Sequence, residues 1–197
     1  MLILIGGPTA SGKSTFAREL ANRCGASVVK MDDFYHTAGE REALKLGENW
    51  DHPKMLDWKL FYKTMRDVLT GKTVKMPVFD KRDASRSFRE FEPRDVVVLE
   101  GIWALNERCR LKGDLRIYLD AQPEIRLQRR IERGVREEGR TPEFTRHMWE
   151  NYVVPMEKIH VFPGKATADV VVTEENFQDA LGKVLQLIKL RSEARQV

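Results

Sequence analysis

Long apolar runs are missing from this 197-residue chain, and cysteine is scarce. No apolar run approaches the roughly 20 residues that a bilayer-spanning helix needs, so the sequence predicts no membrane helix. The short apolar run at the N-terminus is not preceded by the basic segment that a secretory signal peptide carries. Cys24 and Cys109 stand alone, outside any metal-binding or redox spacing. We therefore expect a cytoplasmic protein with reduced thiols.

Repeats, linkers and low-complexity segments are also absent from the sequence. A chain of this length suits one domain, residues 1–197, with enough residues to bury a hydrophobic core. The net charge of +4 would allow nucleic-acid binding, but most basic residues are interleaved with acidic ones. A modest positive excess also suits a phosphate site, so charge alone does not decide between these functions.

Residues 7–15 carry the most specific motif, because GPTASGKST fits G-x-x-x-x-G-K-[ST] at every defined position. Residues 2–5 predict a buried strand before it, and residues 16–21 predict a helix after it. Glycines let such a loop turn its N–H groups towards a polyphosphate, and the helix N-terminus adds partial positive charge. An ordinary glycine-rich turn is the alternative. The predicted nucleotide-binding residues are Gly7, Pro8, Thr9, Ala10, Ser11, Gly12, Lys13, Ser14 and Thr15.

Two side chains of this loop have specific predicted tasks. We expect Lys13 to lie on the surface of the loop and to reach the β- and γ-phosphates of a nucleoside triphosphate. The hydroxyl of Ser14 can coordinate Mg²⁺. A nucleoside triphosphate and Mg²⁺ are therefore the expected ligands of this loop.

Acidic residues follow two predicted strands at their carboxyl ends, which is the edge where ligands bind to open parallel sheets. Asp32 and Asp33 follow the strand predicted at residues 26–31, and Glu100 ends the strand predicted at residues 96–101. We expect Asp32 to be a catalytic base and Asp33 to cap the turn or face solvent; turn capping by both acids is the alternative. Glu100 can hold Mg²⁺, directly or through water, or can pair with Lys13 as a buried carboxylate.

The alternation of strands and helices predicts an α/β fold with a parallel sheet of about five strands and helices on both faces. Further strands are predicted at residues 115–120 and 168–173. Asp57 is typical of an N-cap for a helix over residues 58–69, and Asn176 for a final helix that ends near residue 191. A further helix is predicted from residue 141 to about residue 156.

The remaining segments show weaker patterns. Residues 38–54 are polar and predicted to be mostly irregular. Residues 73–80 predict an edge strand, because Pro77 could not sit in a central strand. Residues 81–94 are highly charged and predict an irregular flap or a hairpin return, so that a small edge hairpin spans about residues 73–94.

An arginine-rich helix is predicted from Pro123 to about residue 140. We expect Leu127, Ile131 and Val135 to pack against the protein, and the arginines, which lie nearly opposite, to form a bare cationic face. Phosphate clamping is the favoured interpretation, and a solvated face partly neutralised by glutamates is the alternative. At 100° per residue, one third of the circumference holds Arg126, Arg129, Arg130, Arg133, Arg136 and Arg140.

Taken together, these blocks resemble the uridine kinase and phosphoribulokinase family of phosphate-loop kinases, and the resemblance extends over nearly the whole chain. It implies a phosphate-loop (P-loop) NTPase fold and transfer of the γ-phosphoryl group of ATP to a substrate hydroxyl with Mg²⁺. The arginine helix is then a lid over the nucleotide. The matching blocks are residues 7–14, 32–35, 49–53, 77–80, 99–101, 126–131 and 139–140, with Pro155 and residues 168–171 at the family's spacing.

The resemblance also implies residue roles. Asp32 matches the catalytic base, and Ser14 and Glu100 match metal-associated positions. Among the arginines, Arg133 takes a catalytic role, Arg129 binds the nucleotide, and Arg130 and Arg140 contact the substrate. The matched nucleoside pocket consists of Tyr35, Trp50, Asp51, His52 and Phe79, in which Asp51 holds the ribose hydroxyls.

Three positions depart from the uridine kinase pattern: an aromatic residue is expected at Lys81, a histidine at Ala84 and a glutamine at Met148. These residues help to recognise the pyrimidine, so the base-reading half of the pocket differs from the pattern. We predict a uridine kinase-like enzyme that phosphorylates a small hydroxyl-bearing substrate, with uridine or cytidine favoured. The alternatives are other acceptors, namely nicotinamide riboside, a sugar phosphate or pantothenate.

A protein of another class is the remaining rival, namely a nucleotide-dependent switch or a nucleic-acid-binding protein that uses the arginine helix on a phosphate backbone. It is disfavoured because Asp32 and residues 50–52 would then have no role. We therefore expect no nucleic-acid partner. The family often forms oligomers, so a homo-oligomer is among the expectations.

Overall fold

The computed structural model describes residues 1–194, and its main sheet has five strands. Two buried apolar segments, residues 2–6 and residues 97–100, are neighbouring strands of this sheet. All five strands are parallel, in the order β2-β5-β1-β6-β7. A separate antiparallel hairpin consists of β3 and β4. The strands are β1 (Leu2–Gly6), β2 (Ser27–Lys30), β3 (Val74–Asp80), β4 (Ser85–Phe91), β5 (Val97–Glu100), β6 (Leu115–Leu119) and β7 (Val170–Val172).

Seven α-helices are described, and those beside the sheet cover both of its faces. Together with the parallel sheet they confirm the predicted fold class. Within residues 1–194, no helix is long and apolar enough to cross a membrane. The helices are α1 (Lys13–Cys24), α2 (Ala38–Ala43), α3 (Trp58–Leu69), α4 (Pro123–Glu138), α5 (Pro142–Met148), α6 (Val154–His160) and α7 (Phe177–Glu193).

The sheet separates two hydrophobic clusters. Successive side chains of a strand point to opposite faces, so the buried β1 contributes to both clusters. Leu4 packs in the cluster that includes Phe61 of α3, and Ile5 packs in the cluster that includes Phe16 of α1 and Leu181 of α7. The continuous apolar character of β1 follows from this burial on both faces.

Two segments are more regular than predicted. Residues 38–54 include α2, whose capping box joins Thr37 and Glu40. Residues 81–94 include β4, which pairs with β3 so that Asp80 lies opposite Ser85. The predicted hairpin return is therefore confirmed, and the irregular flap is not observed. The sequence did not indicate the strand β4 itself, because most of its residues are exposed and lack the alternation of a half-buried strand.

Helix ends differ from the predictions in two places. The helix predicted to end near residue 156 continues to His160, through a π-helical turn at Trp149–Val153. Asn176 precedes α7, but its side chain accepts a hydrogen bond from Thr173 N (2.7 Å) instead of capping the helix. Asp57 does cap α3, since its Oδ1 accepts from Leu60 N at 2.9 Å.

Candidate active site

The phosphate loop joins β1 to α1 with a backbone that only certain residues can adopt. Gly7 has φ 132°, and a Cβ atom there would lie 2.2 Å from the carbonyl oxygen of Leu119. Gly12 has φ 95°, and Ala10 adopts φ 59°, a left-handed conformation that is strained for a residue with a side chain. Such strain is typical of ligand-binding loops. The glycine spacing of the motif is therefore required by the backbone itself.

Lys13 is the first residue of α1, and it is only 7% exposed, so the prediction of a surface position was wrong. Its Nζ donates a hydrogen bond to the carbonyl oxygen of Pro8 at 2.6 Å. Burial lowers the pKa of the Lys13 ammonium to about 8, although the carboxylates of Glu100, Asp32 and Glu157 act in the opposite direction. At neutral pH the site thus holds a positive charge that is poorly solvated and available to an anion.

Ser14 and Glu100 are 86 positions apart in the sequence but in contact in the fold. Ser14 Oγ donates to Glu100 Oε1 at 2.8 Å. Burial, reinforced by the negative charge of Asp32, raises the pKa of the Glu100 carboxyl. A hydroxyl and a carboxylate are oxygen ligands of the kind that Mg²⁺ takes, and a bound cation would relieve the cost of burying Glu100. The two residues therefore fit a magnesium site.

Asp32 and Asp33 follow β2 and have different partners. Asp32 lines the cleft, where its Oδ2 lies 2.6 Å from Lys81 Nζ. Burial alone would raise the pKa of Asp32, but the ion pair and hydrogen bond with Lys81, helped by Lys13 and Arg133, hold that pKa below its ordinary value. Asp33 Oδ1 instead accepts from the backbone N–H of Phe79 at 3.3 Å. The structure therefore places an ionised Asp32 in the cleft and uses Asp33 to hold β3.

A cleft of about 390 Å³ extends from the phosphate loop to a wall of three aromatic rings. The ring centroids of Tyr35, Trp50 and Phe79 lie 5.5–5.9 Å from one another. The guanidinium of Arg41 stacks over Trp50 at 3.8 Å. We call these three rings the aromatic wall. Such a surface can pack against a flat ring of a ligand.

Asp51 lies between the aromatic wall and α4, and it is 7% exposed. Its Oδ2 has no hydrogen-bond partner among residues 1–194, and Arg130 is 3.7 Å away. Burial raises the pKa of Asp51, while the Arg130 charge opposes that rise. Buried carboxylate oxygens rarely remain without a donor. The orphaned oxygen therefore indicates a ligand that brings a hydroxyl or N–H to this point.

Helix α4 lies over the cleft with its charged face turned inward. Arg129, Arg130 and Arg133 of α4 line the cleft, and so does Arg140, which follows the end of the helix. On the opposite, apolar face, Leu127 and Ile131 are half-buried and Val135 is 51% exposed. The prediction that the apolar face packs was therefore wrong for Val135, and the arginine face that was predicted to be bare lines the cleft. The helical pattern was misleading because a guanidinium group can pack against a carboxylate of another element, as Arg130 does against Asp51 at 3.7 Å.

Most of these arginines have partners within the protein. Arg130 NH1 donates to Thr9 Oγ1 at 3.0 Å, and Arg140 Nε lies 2.9 Å from Glu138. Arg129 pairs with Glu174, which follows β7. The Arg130–Thr9 bond holds α4 against the phosphate loop, and the Arg129–Glu174 pair holds it against the segment after β7, whereas the Arg140–Glu138 pair is local to the helix end.

Arg126 belongs to the core, although the helical pattern had placed it on the bare face. It is 2% exposed and its NH1 lies 2.9 Å from Oε2 of Glu157, which is also 2% exposed. The guanidinium stacks over Trp149 at 4.9 Å and donates to the carbonyl oxygen of Thr9 at 3.3 Å. Glu157 Oε1 in turn accepts from Thr9 N at 2.7 Å. The pair thus fixes the phosphate loop on α4 and α6, and sequence patterns gave no sign of Glu157.

Glu157→Gln should destabilise the fold by about 3 kcal/mol, because it leaves the buried Arg126 charge without its counter-ion while keeping an acceptor for Thr9 N. Thermal unfolding at pH 7 measures the loss. Glu174→Gln is the matched control, since its pair with Arg129 is about 40% exposed and should contribute little. Equal shifts in Tm for the two variants would contradict the assigned importance of the buried pair.

The other predicted residues occupy varied positions. His52 lies outside the cleft, where its Nδ1 accepts from Lys54 N at 3.0 Å. Gly7, Pro8 and Ser11 shape the loop behind the cleft surface, whereas Thr9, Ala10, Gly12 and Thr15 line it. Of the three departing positions, Lys81 and Met148 line the cleft, and Ala84 closes the β3–β4 turn with φ 53°.

A phosphate loop on a parallel sheet, with an acid-lined cleft beneath an arginine helix, defines a phosphate-loop kinase. The chain belongs to the phosphoribulokinase/uridine kinase family, whose model matches residues 2–180. It is therefore an enzyme, a phosphotransferase with an alcohol group as acceptor.

Curated relatives agree with this membership, and solved structures share the fold. The uridine kinases of Macrococcus caseolyticus and Halobacterium salinarum are 36% and 35% identical, over 88% and 86% of this chain and 87% and 78% of their own lengths. The phosphoribulokinase of Rhodobacter spheroides shares the fold with a TM-score of 0.62 at 14% identity, over 86% of this chain and 68% of its own. A candidate fructose transport system kinase from Silicibacter sp. TM1040 has a TM-score of 0.74 at 21% identity, over 87% and 89%.

Proposed function

We propose that this protein is an ATP-dependent nucleoside kinase that transfers the γ-phosphoryl group of ATP to a hydroxyl of uridine or cytidine. The observation that carries the proposal is the joining, in one cleft, of the phosphate loop, the aromatic wall and the buried Asp51 oxygen that has no hydrogen-bond donor among residues 1–194. The names of the uridine kinase relatives support the same substrate class. The aromatic wall favours a nucleoside over a sugar phosphate or pantothenate, neither of which has an aromatic ring to pack there.

In the proposed reaction, Asp32 accepts the proton of the acceptor hydroxyl while the hydroxyl oxygen attacks the γ-phosphorus and ADP leaves. Lys13 and the loop amides hold the β- and γ-phosphates. Arg133, for which no ion pair is found within residues 1–194, neutralises charge on the transferring group. Mg²⁺, held by Ser14 and Glu100 when bound, supplies further charge neutralisation on the phosphates.

Two parts of the cleft recognise the acceptor. Asp51 offers its oxygens to the ribose hydroxyls, and Arg130 holds that carboxylate in place. The base packs against the aromatic wall and Met148. The arginines of α4 line the same cleft as the aromatic wall and Asp51, which favours a small substrate over a nucleic-acid backbone.

A panel of acceptors tests the proposal. Release of ADP is measured from ATP and Mg²⁺ with uridine, cytidine, nicotinamide riboside, a pentose phosphate or pantothenate. We expect the largest kcat/KM with uridine or cytidine. Turnover with only the pentose phosphate or pantothenate would contradict a nucleoside acceptor.

Arg133→Ala should lower kcat on the best acceptor by about 10²-fold, because a guanidinium aimed at developing charge contributes most in the transition state. Steady-state kinetics measures the loss, and a gel shift with RNA measures nucleic-acid binding. Arg146→Ala, an exposed substitution on α5 outside the cleft, is the control for loss of one positive charge. Weaker RNA binding with unchanged kinase activity would favour the nucleic-acid-binding alternative.

A further inference from the structure

Lys81 places its ammonium group on the carboxylate that the proposed reaction uses as a base. It lies at the start of the turn between β3 and β4, and its Nζ is 2.6 Å from Asp32 Oδ2. A cation on this carboxylate occupies one of its oxygens and lowers its ability to take a proton. As long as the pair persists, Asp32 is restrained as a base towards any hydroxyl, including that of water.

The Lys81–Asp32 pair is weak enough to be displaced. Its two side chains are 44% and 40% exposed, and ion pairs of that exposure contribute little to stability. The Arg126–Glu157 pair, which contacts Thr9 of the phosphate loop, is in contrast only 3% and 2% exposed. The buried Arg126–Glu157 pair therefore holds the phosphate loop firmly, whereas breaking the exposed Lys81–Asp32 pair requires little free energy.

The β3–β4 hairpin puts Lys81 where an entering acceptor would meet it. Phe79 of the aromatic wall lies two residues before Lys81, and both line the cleft. Arg86 anchors the hairpin, since its NH2 donates to Tyr35 O at 2.6 Å and to Glu40 at 3.0 Å. With the hairpin backbone held, an acceptor packed on Phe79 competes with the Lys81 side chain for the space beside Asp32.

We propose that Lys81 is a positioning residue that restrains Asp32 until the acceptor displaces the Lys81 side chain. The γ-phosphoryl group of ATP is then transferred to the acceptor rather than to water. The inference rests on the proposed kinase function. In the productive reaction the acceptor hydroxyl gives its proton to Asp32, its oxygen bonds to the γ-phosphorus, and the bond to ADP breaks. In the wasteful reaction water takes the place of the hydroxyl, and the products are ADP and inorganic phosphate.

The test measures phosphate release from ATP and Mg²⁺ without acceptor, and the ratio of phosphorylated uridine to ADP with uridine present. Lys81→Met should raise acceptor-free phosphate release by about fivefold, which corresponds to ~1 kcal/mol of lost restraint. The ratio of phosphorylated uridine to ADP should fall. Lys81→Arg keeps the positive charge and should retain low release. Arg82→Met is the matched control, because Arg82 pairs with Asp80 in the same turn and lies outside the cleft.

The double variant Lys81→Met with Asp32→Asn decides whether the extra release uses Asp32. Loss of that extra release supports the proposal, and its persistence overturns it. Release from Lys81→Met at the parental rate, or a parallel loss of release and transfer, also overturns it. If Asp32-dependent release rises in Lys81→Met while no nucleoside is phosphorylated by any variant, the restraint is upheld and the nucleoside kinase proposal fails. Circular dichroism of each variant confirms that it is folded.

Discussion

Asp32→Asn should lower kcat on the best acceptor by about 10²–10⁴, the contribution that general bases usually make. The amide keeps the shape of the side chain but cannot take the hydroxyl proton. ATP affinity should hardly change, because Lys13, Ser14 and the loop amides remain in place. Single-turnover kinetics measures the phosphoryl-transfer step, and equilibrium titration with a non-hydrolysable ATP analogue measures nucleotide binding.

Asp33→Asn is the control for this prediction. Within residues 1–194, the neighbouring carboxylate accepts one hydrogen bond, from the backbone N–H of Phe79 at 3.3 Å, and an amide oxygen can accept the same bond. We expect a loss in kcat of less than about tenfold, since this change leaves the cleft carboxylate intact. Similar losses in the two variants, or a loss in Asp32→Asn confined to ATP binding, would make Asp32 a metal ligand or a structural residue instead of a base.

Features that depend on neighbouring residues in the chain could be predicted from the sequence. The strand, loop and helix around residues 7–15 follow from local glycine positions and apolar runs, and the structure requires the same glycine at residue 7. The carboxyl ends of β2 and β5 meet at one sheet edge, so Asp32 and Glu100 come close as parallel topology requires. Local sequence patterns and the rules of parallel-sheet topology were therefore sufficient to predict this part of the cleft.

Contacts between distant segments could not be predicted in the same way. The helical periodicity of α4 separates arginines from apolar residues, but it does not say which face turns to the protein. The answer depends on Glu157, Thr9 and Asp51, which lie on other elements and receive the arginine side chains. The Lys81–Asp32 contact likewise depends on how the β3–β4 hairpin sits on the sheet. Charge patterns alone carry no information about such partners.

Lys13→Met should lower turnover by about 10²–10³, the loss usual when a preorganised charge at a phosphoryl-transfer site is removed. Kinetics with the best acceptor measures it, and turnover at the parental rate would contradict the nucleotide-site assignment. Lys13 is buried, however, so its effect on stability needs a separate argument.

Below pH 8 the folded and unfolded chains both carry the Lys13 proton, and the folded chain bears the full cost of the buried charge. The difference between an ordinary pKa of 10.5 and the value of about 8 corresponds to roughly 3 kcal/mol. Lys13→Met removes that cost, so we expect its Tm at pH 7 to be higher than that of the parent protein by several degrees.

The pH dependence of this gain provides a second readout. As the pH rises from about 8 towards 10.5, the folded parent loses the Lys13 proton before the unfolded chain does, and its stability increases relative to the variant. The difference in Tm between Lys13→Met and the parent should therefore be largest near pH 7 and shrink above pH 8. Lys189→Met, an exposed change on α7, controls for the lost surface charge. If the Lys13→Met variant is less stable than the parent at pH 7, Lys13 stabilises the fold. The expectation that its buried charge lowers the free energy of unfolding is then wrong.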